Sequence, residues 1–197
     1  MYKINFKLSP SSYYNLNRYA KSLNLSIQTI IRFLLTEQLQ CYEFNREVFN
    51  ENYKIRRNRS YEGKIDDYGN YHEANNYSME VSEYIYENIQ LIRDTYKDNT
   101  NNAINKLLDI AIDEKLVDFD KNFSAQYKDV KKVNTKQYAI PLSENFSQRL
   151  NDISKKTGIK TNKLISLIIG NYLIEHYDEY FDGLYESESG KMYDSVW

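Results

Sequence analysis

One pattern recurs three times along the chain: an alternating strand, a serine cap, a helix, a turn residue and a more apolar second helix. The first copy opens with Ile4, Phe6 and Leu8 apolar and Lys3, Asn5 and Lys7 polar, the period of a strand buried on one face. Ser9-Pro10-Ser11-Ser12 offers a helix cap with Pro in the first turn, and Tyr13, Leu16, Tyr19, Ala20 and Leu23 recur at helical spacing. Asn24-Leu25-Ser26 breaks the helix and supplies a new cap, after which Ile27, Ile30, Ile31, Leu34 and Leu35 carry a second helix. In the third copy Tyr138, Ile140 and Leu142 alternate with Gln137, Ala139 and Pro141. Ser143 caps a helix bearing Phe146, Leu150 and Ile153, Gly158 suits the left-handed position of the turn, and Leu164 to Ile169 fill the next helix. Leu8 precedes Asn24 by the same 16 residues that separate Leu142 from Gly158, and Ile31 and Ile165 each lie 7 beyond the turn residue. A looser middle copy follows the same ruler: Tyr77, Met79 and Val81 alternate, Ser82-Glu83 opens a helix with Ile85, Ile89 and Ile92, and Lys97 lies 16 beyond Val81.

Composition narrows the setting. Cys41 is the single cysteine, which excludes an intrachain disulfide and a cysteine-rich zinc site, and a reducing cytoplasm is expected. No apolar run approaches the ~18 residues that span a bilayer, and Met1 to Asn5 form no apolar signal core, so no membrane association is expected. Abundant Tyr, Asn, Lys and Ile fit a gene rich in A and T codons. His72 and His176 stand apart with no ligand spacing, and there is no phosphate-cradling Gly loop or nucleophile elbow. Neither catalysis, a metal nor a cofactor is expected.

The spacing resembles the ribbon-helix-helix family, best over residues 3–37 and 136–170 and in outline over 76–112. The resemblance implies a mainly α fold with short β-strands. Three ribbon-helix-helix units would pair their strands antiparallel, within or between chains, and the paired ribbon would enter the major groove of DNA. A unit of about forty residues cannot bury its strand edge and both helices alone, so each must pair. An odd number of units makes a homodimer the expected state, with three ribbon pairs as the simplest closed solution and a 1–3 pairing within the chain as the other. The expected layout is unit one at 1–40, a linker at 41–75, a degenerate unit two at 76–118, a linker at 119–135, unit three at 136–180 and an acidic tail at 181–197.

With Ile4, Phe6 and Leu8 facing inward, Lys3, Asn5 and Lys7 project together from the other face. Lys can donate to guanine and Asn can bond adenine bidentately, so these three are the first candidates for base contacts, against the alternative of a solvated strand face. The equivalents in the third unit are Gln137, which can read adenine, and Ala139, which can touch a thymine methyl; Pro141 removes a donor there. Phosphate candidates are the N-termini of the second helices, at Ser26 and Ile27 and at Lys160 and Thr161, together with Lys136. Residues 1–40 carry five basic and one acidic side chain, 121–160 nine and three, and 76–120 four and ten. That distribution assigns DNA to the outer units and a structural or protein-binding role to the middle one. The Lys54 to Arg59 cluster and Lys128, Lys131 and Lys132 are further basic candidates.

The leading expectation is therefore a sequence-specific double-stranded DNA-binding protein of a plasmid, phage or similar element. It would act as a repressor, a relaxosome (conjugation) accessory protein or a partition protein. The rival expectation is an antitoxin-like or scaffolding interaction module, with a protein partner on the acidic middle unit or tail.

Overall fold

The computed structural model describes residues 1–56, 64–65, 71–72, 75–123 and 139–175. Among them are seven helices and two small antiparallel sheets. The order is β1 (Tyr2–Leu8), α1 (Pro10–Ser22), α2 (Ile27–Phe44), α3 (Arg46–Ile55), β2 (Lys64–Ile65), β3 (Tyr71–His72), β4 (Asn75–Val81), α4 (Glu83–Tyr96), α5 (Thr100–Phe123), α6 (Glu144–Thr157) and α7 (Thr161–Glu175).

The local physics of the three helix pairs is shared. Ser9, Ser82 and Ser143 sit in extended backbone and accept from the amide three residues on, capping α1, α4 and α6. Asn24, Lys97 and Gly158 are the three described residues with positive φ, at 51°, 54° and 69°. Each follows the first helix of its pair, and the left-handed turn frees the chain to reverse into α2, α5 or α7. The three first helices start at Pro10, Glu83 and Glu144, each fourteen residues before its turn residue, and the three second helices start three residues after it.

The strands show which copies pair. β1 runs antiparallel to β4 in the register Lys3↔Glu80, Asn5↔Ser78 and Lys7↔Asn76. The ribbon is thus made within the chain by the first and middle copies, not by the first and third. Its centre is the Asn5–Ser78 pair, and both residues lie nineteen positions before their turn residue. A pseudo-twofold axis through that pair relates the two halves. Ile4, Phe6, Leu8, Met79 and Val81 point inward and are buried with Leu16, Ile30, Leu34, Ile85, Ile89, Leu107 and Leu108 in one core. Each such side chain contributes roughly 1.5–3 kcal/mol by leaving water, which is what makes two units viable where one is not.

Two findings depart from the sequence reading. Residues 46–55, read as polar linker, form α3, whose Phe49 and Tyr53 are buried one helical turn apart. Tyr53 stacks on Phe49 and donates a 2.8 Å hydrogen bond to Asp98, which also accepts from Lys106 at 2.8 Å. The third copy's expected strand is absent over the part described: residues 139–143 are irregular and exposed. A strand persists only where a neighbour takes its ladder hydrogen bonds, and β1 and β4 have already satisfied one another. α6 and α7 nonetheless pack on the rest of the chain. Ser82 Oγ donates to the Lys156 carbonyl at 2.5 Å, and Gly170 of α7 closes on Leu23.

Candidate nucleic-acid interface

The outward face of the β1–β4 ribbon is polar from end to end. Lys3, Asn5 and Lys7 are exposed on β1, as expected, and Asn76, Ser78 and Glu80 are exposed beside them on β4. The face carries two cations and one anion, with Lys3 directly across from Glu80. It offers donors from lysine, and both donors and acceptors from asparagine and serine.

The ribbon is clamped by its own helices in a way the sequence reading did not anticipate. Arg32 Nε on α2 donates 2.8 Å to the Glu80 carbonyl, and Asn105 Nδ2 on α5 donates 2.8 Å to the Lys7 carbonyl. Arg32 and Asn105 each lie eight residues beyond their turn residue, and Lys7 and Glu80 are likewise counterparts, so the two clamps are related by the pseudo-twofold. Asn101 adds a third bond, its Oδ1 accepting from the Lys7 amide at 2.7 Å. The shared ruler was the signal that could have revealed the pair. These bonds leave the outward side chains free and fix the angle between the ribbon and the two second helices.

Arg32 also lines a shallow groove with Lys3, Gln28, Ser78, Met79 and Glu80. Burial lowers the pKa of its guanidinium, and the nearby Glu80 carboxylate opposes that shift. Gln28 stands in the first turn of α2, so the groove joins the ribbon's edge to that helix's N-terminus. There Ser26 is exposed and caps the Thr29 amide at 3.2 Å, while Ile27 is half-buried. The opposite end of β1 meets the N-terminus of α5, where Asn99 Oδ1 caps the Asn102 amide at 2.8 Å. Two helix N-termini, with their positive dipole ends and first-turn amides, therefore flank the ribbon.

Other expected site residues lie elsewhere. Lys160, exposed, and Thr161, half-buried, stand at the start of α7 beyond the Met1 end of the ribbon, where the Gly158 turn approaches Met1 and Ser82. Ala139 is exposed but belongs to no strand. Lys136, Gln137, Lys128, Lys131, Lys132, Arg57 and Arg59, and the tail after residue 175, lie outside the described residues. Among the described residues no group of three or more His, Cys, Asp or Glu is placed to hold a metal, and no helix is long and apolar enough to cross a membrane. Comparison with family models, with curated proteins and with solved structures finds no match to this chain.

Proposed function

We propose that the chain is a sequence-specific double-stranded DNA-binding protein that reads the major groove with the β1–β4 ribbon, in a repressor or in a conjugation or partition accessory role. In this reading the chain holds three ribbon-helix-helix units, and the first two make one complete reading head. The observation that carries it is the two-sided ribbon: every inward side chain from Ile4 to Leu8 is buried, and Lys3, Asn5, Lys7, Asn76 and Ser78 stand exposed in one sheet of donors and acceptors. A two-stranded ribbon fits the width of the major groove, where all four base pairs are distinguishable. Lys3 and Lys7 suit guanine O6 and N7, and Asn5 at the pseudo-twofold suits adenine N6 and N7. The N-termini of α2 and α5 would hold phosphates on the two flanks, setting register without reading sequence. The ribbon is asymmetric, with lysines on one strand and Glu80 on the other, so the favoured site is not a perfect palindrome; Glu80 selects cytosine N4 or excludes alternatives.

The test is selection from a random duplex pool, followed by binding of the selected duplex at two salt concentrations. Wild type should select a sequence and lose affinity steeply with salt. A Lys3/Asn5/Lys7 triple-Ala variant, whose changes are all exposed, should keep its circular dichroism and lose selectivity, with affinity for the chosen duplex down on the order of 100-fold. Equal selection by both proteins would remove the ribbon from the reading head. Absence of salt-dependent binding would favour the protein-interaction reading.

A further inference from the structure

We propose that the surface built from residues 139–172 is where a second copy of this chain docks, the two third units closing on one another as the first two close within the chain. The inference rests on reading this region as a unit of the same kind, and it is separable from DNA binding.

The argument comes from aligning the three turn residues. Phe6, Leu8, Tyr19, Leu34 and Leu35 in the first unit have Met79, Val81, Ile92, Leu107 and Leu108 as counterparts in the second. All ten are buried, none more than 4% exposed. The third unit's counterparts are Ile140, Leu142, Ile153, Ile168 and Ile169, every one a large aliphatic. They are 54%, 37%, 42%, 47% and 47% exposed. These positions carry core-type side chains, and among the described residues nothing buries them.

The third unit's remaining apolar positions are not idle. Leu150 and Leu164, counterparts of Leu16 and Ile30, are buried, so α6 and α7 already pack as a pair. Ile159 and Leu167 are buried too, and the Gly158 turn sits against Ser82. Docking to the first two units therefore uses one side of the pair. What stays open includes the positions whose counterparts are buried in the core that the first two units share. At the clamp position, where Arg32 and Asn105 hold a partner's strand, the third unit has Ser166, whose hydroxyl donates to the Asn162 carbonyl of its own helix at 3.1 Å. The first two units are taken by each other, so a third unit from another copy is the partner with the matching alternating sequence and matching apolar face. Like the intrachain pair, it would close by a twofold and end the assembly at two chains.

The twofold also predicts which residues face each other. Asn5 and Ser78 pair with one another at the intrachain axis, and the residue nineteen positions before Gly158 is Ala139. Two copies of Ala139 should therefore be directly opposite across the interchain ribbon, within the Cα spacing a disulfide needs. The experiment uses the full chain without DNA. Sedimentation of the wild type should give twice the 23.5 kDa chain mass. Ile168→Glu and Ile169→Glu, made on exposed positions, should retain the helical spectrum and weaken association by on the order of 100-fold, giving monomers. In a Cys41→Ser background, Ala139→Cys should form a covalent dimer under mild oxidation, while Asn162→Cys should not. A wild type that sediments as a monomer overturns the proposal. So does a dimer that survives both glutamates, or one that leaves the Ala139→Cys thiols unlinked. A wild type that dimerises as described but selects no duplex in the pool experiment above would instead strike the functional reading alone.

Discussion

A disulfide across the intrachain ribbon offers a sharp test of how the units pair. Asn5 and Ser78 are direct partners in the antiparallel register, and both side chains face outward, so replacing them removes no core contact. Antiparallel partners stand roughly 4.5–5.5 Å apart between Cα atoms, inside the range a disulfide bridges without backbone movement. With Cys41→Ser removing the native thiol, Asn5→Cys with Ser78→Cys should oxidise within one chain. The bridge closes a loop set by that pairing, roughly 70 residues, and in the chain-entropy model such a loop stabilises the fold by about 4 kcal/mol. At a urea m-value of roughly 2 kcal/mol/M, the unfolding midpoint should rise by about 2 M on oxidation and return on reduction. A non-reducing gel should show monomers that migrate faster than the reduced form. Covalent dimers on that gel, or no change in the midpoint, would refute pairing of the first two units within the chain.

Other expectations follow from the turns, the clamps and the tyrosines. Lys97 holds φ 54° at the end of α4, a conformation costly for a residue with a Cβ, so Lys97→Gly should raise stability by about 0.5–1 kcal/mol in urea unfolding. Gly158→Ala at φ 69° should lower it by about 1–2 kcal/mol, because the added Cβ meets only ordinary contacts and the cost is conformational. Asn105→Ala should cost about 1–2 kcal/mol by leaving the Lys7 carbonyl with one bond fewer, and Asn105→Asp should not restore it, since a carboxylate cannot donate. Burial, with a smaller contribution from Tyr13, pushes the Tyr77 hydroxyl up to about 12, against roughly 10 in the unfolded chain. Its neutral form is therefore favoured by folding, a contribution fully present below about pH 10 and lost as pH rises through about 12. Urea midpoints measured from pH 9 upward should fall more steeply for wild type than for Tyr77→Phe; identical slopes would remove Tyr77 from that loss.

The parts of this fold that the sequence makes legible are those governed by local physics. Serine caps, left-handed turn residues and the inward strand positions all act within a few residues of themselves. The ruler at Asn24, Lys97 and Gly158 exposed them even where Lys97 replaced the expected glycine. Partner choice was not legible, because alternation states which face of a strand is buried and says nothing about its neighbour. Regional charge does not resolve individual strand faces. The acids of residues 76–120 lie mostly on α4, α5 and the turn between them, whereas the outward face of β4 carries Glu80 alone beside Asn76 and Ser78. The β4 strand thus forms half of the candidate face whatever the charge of its unit. α3 was hidden because Phe49 and Tyr53 are its two buried anchors within ten residues whose other apolar side chains, Val48 and Ile55, are exposed, too short a stretch for periodicity to speak. The Arg32 and Asn105 clamps bond backbone carbonyls across the fold, so the ruler can mark the two positions as equivalent but not the carbonyls they reach.

The central claim, that the outward face of the β1–β4 ribbon is the surface that meets DNA, is tested most directly by lysine footprinting. The protein would be acetylated with and without its selected duplex, and the modified residues read by mass spectrometry. Lys3 and Lys7, both exposed on the ribbon, should become protected together, while Lys163 on α7 should react as before. Unchanged reactivity at Lys3 and Lys7, with protection at Lys160 and Lys163 instead, would contradict the account and move the interface to the third unit.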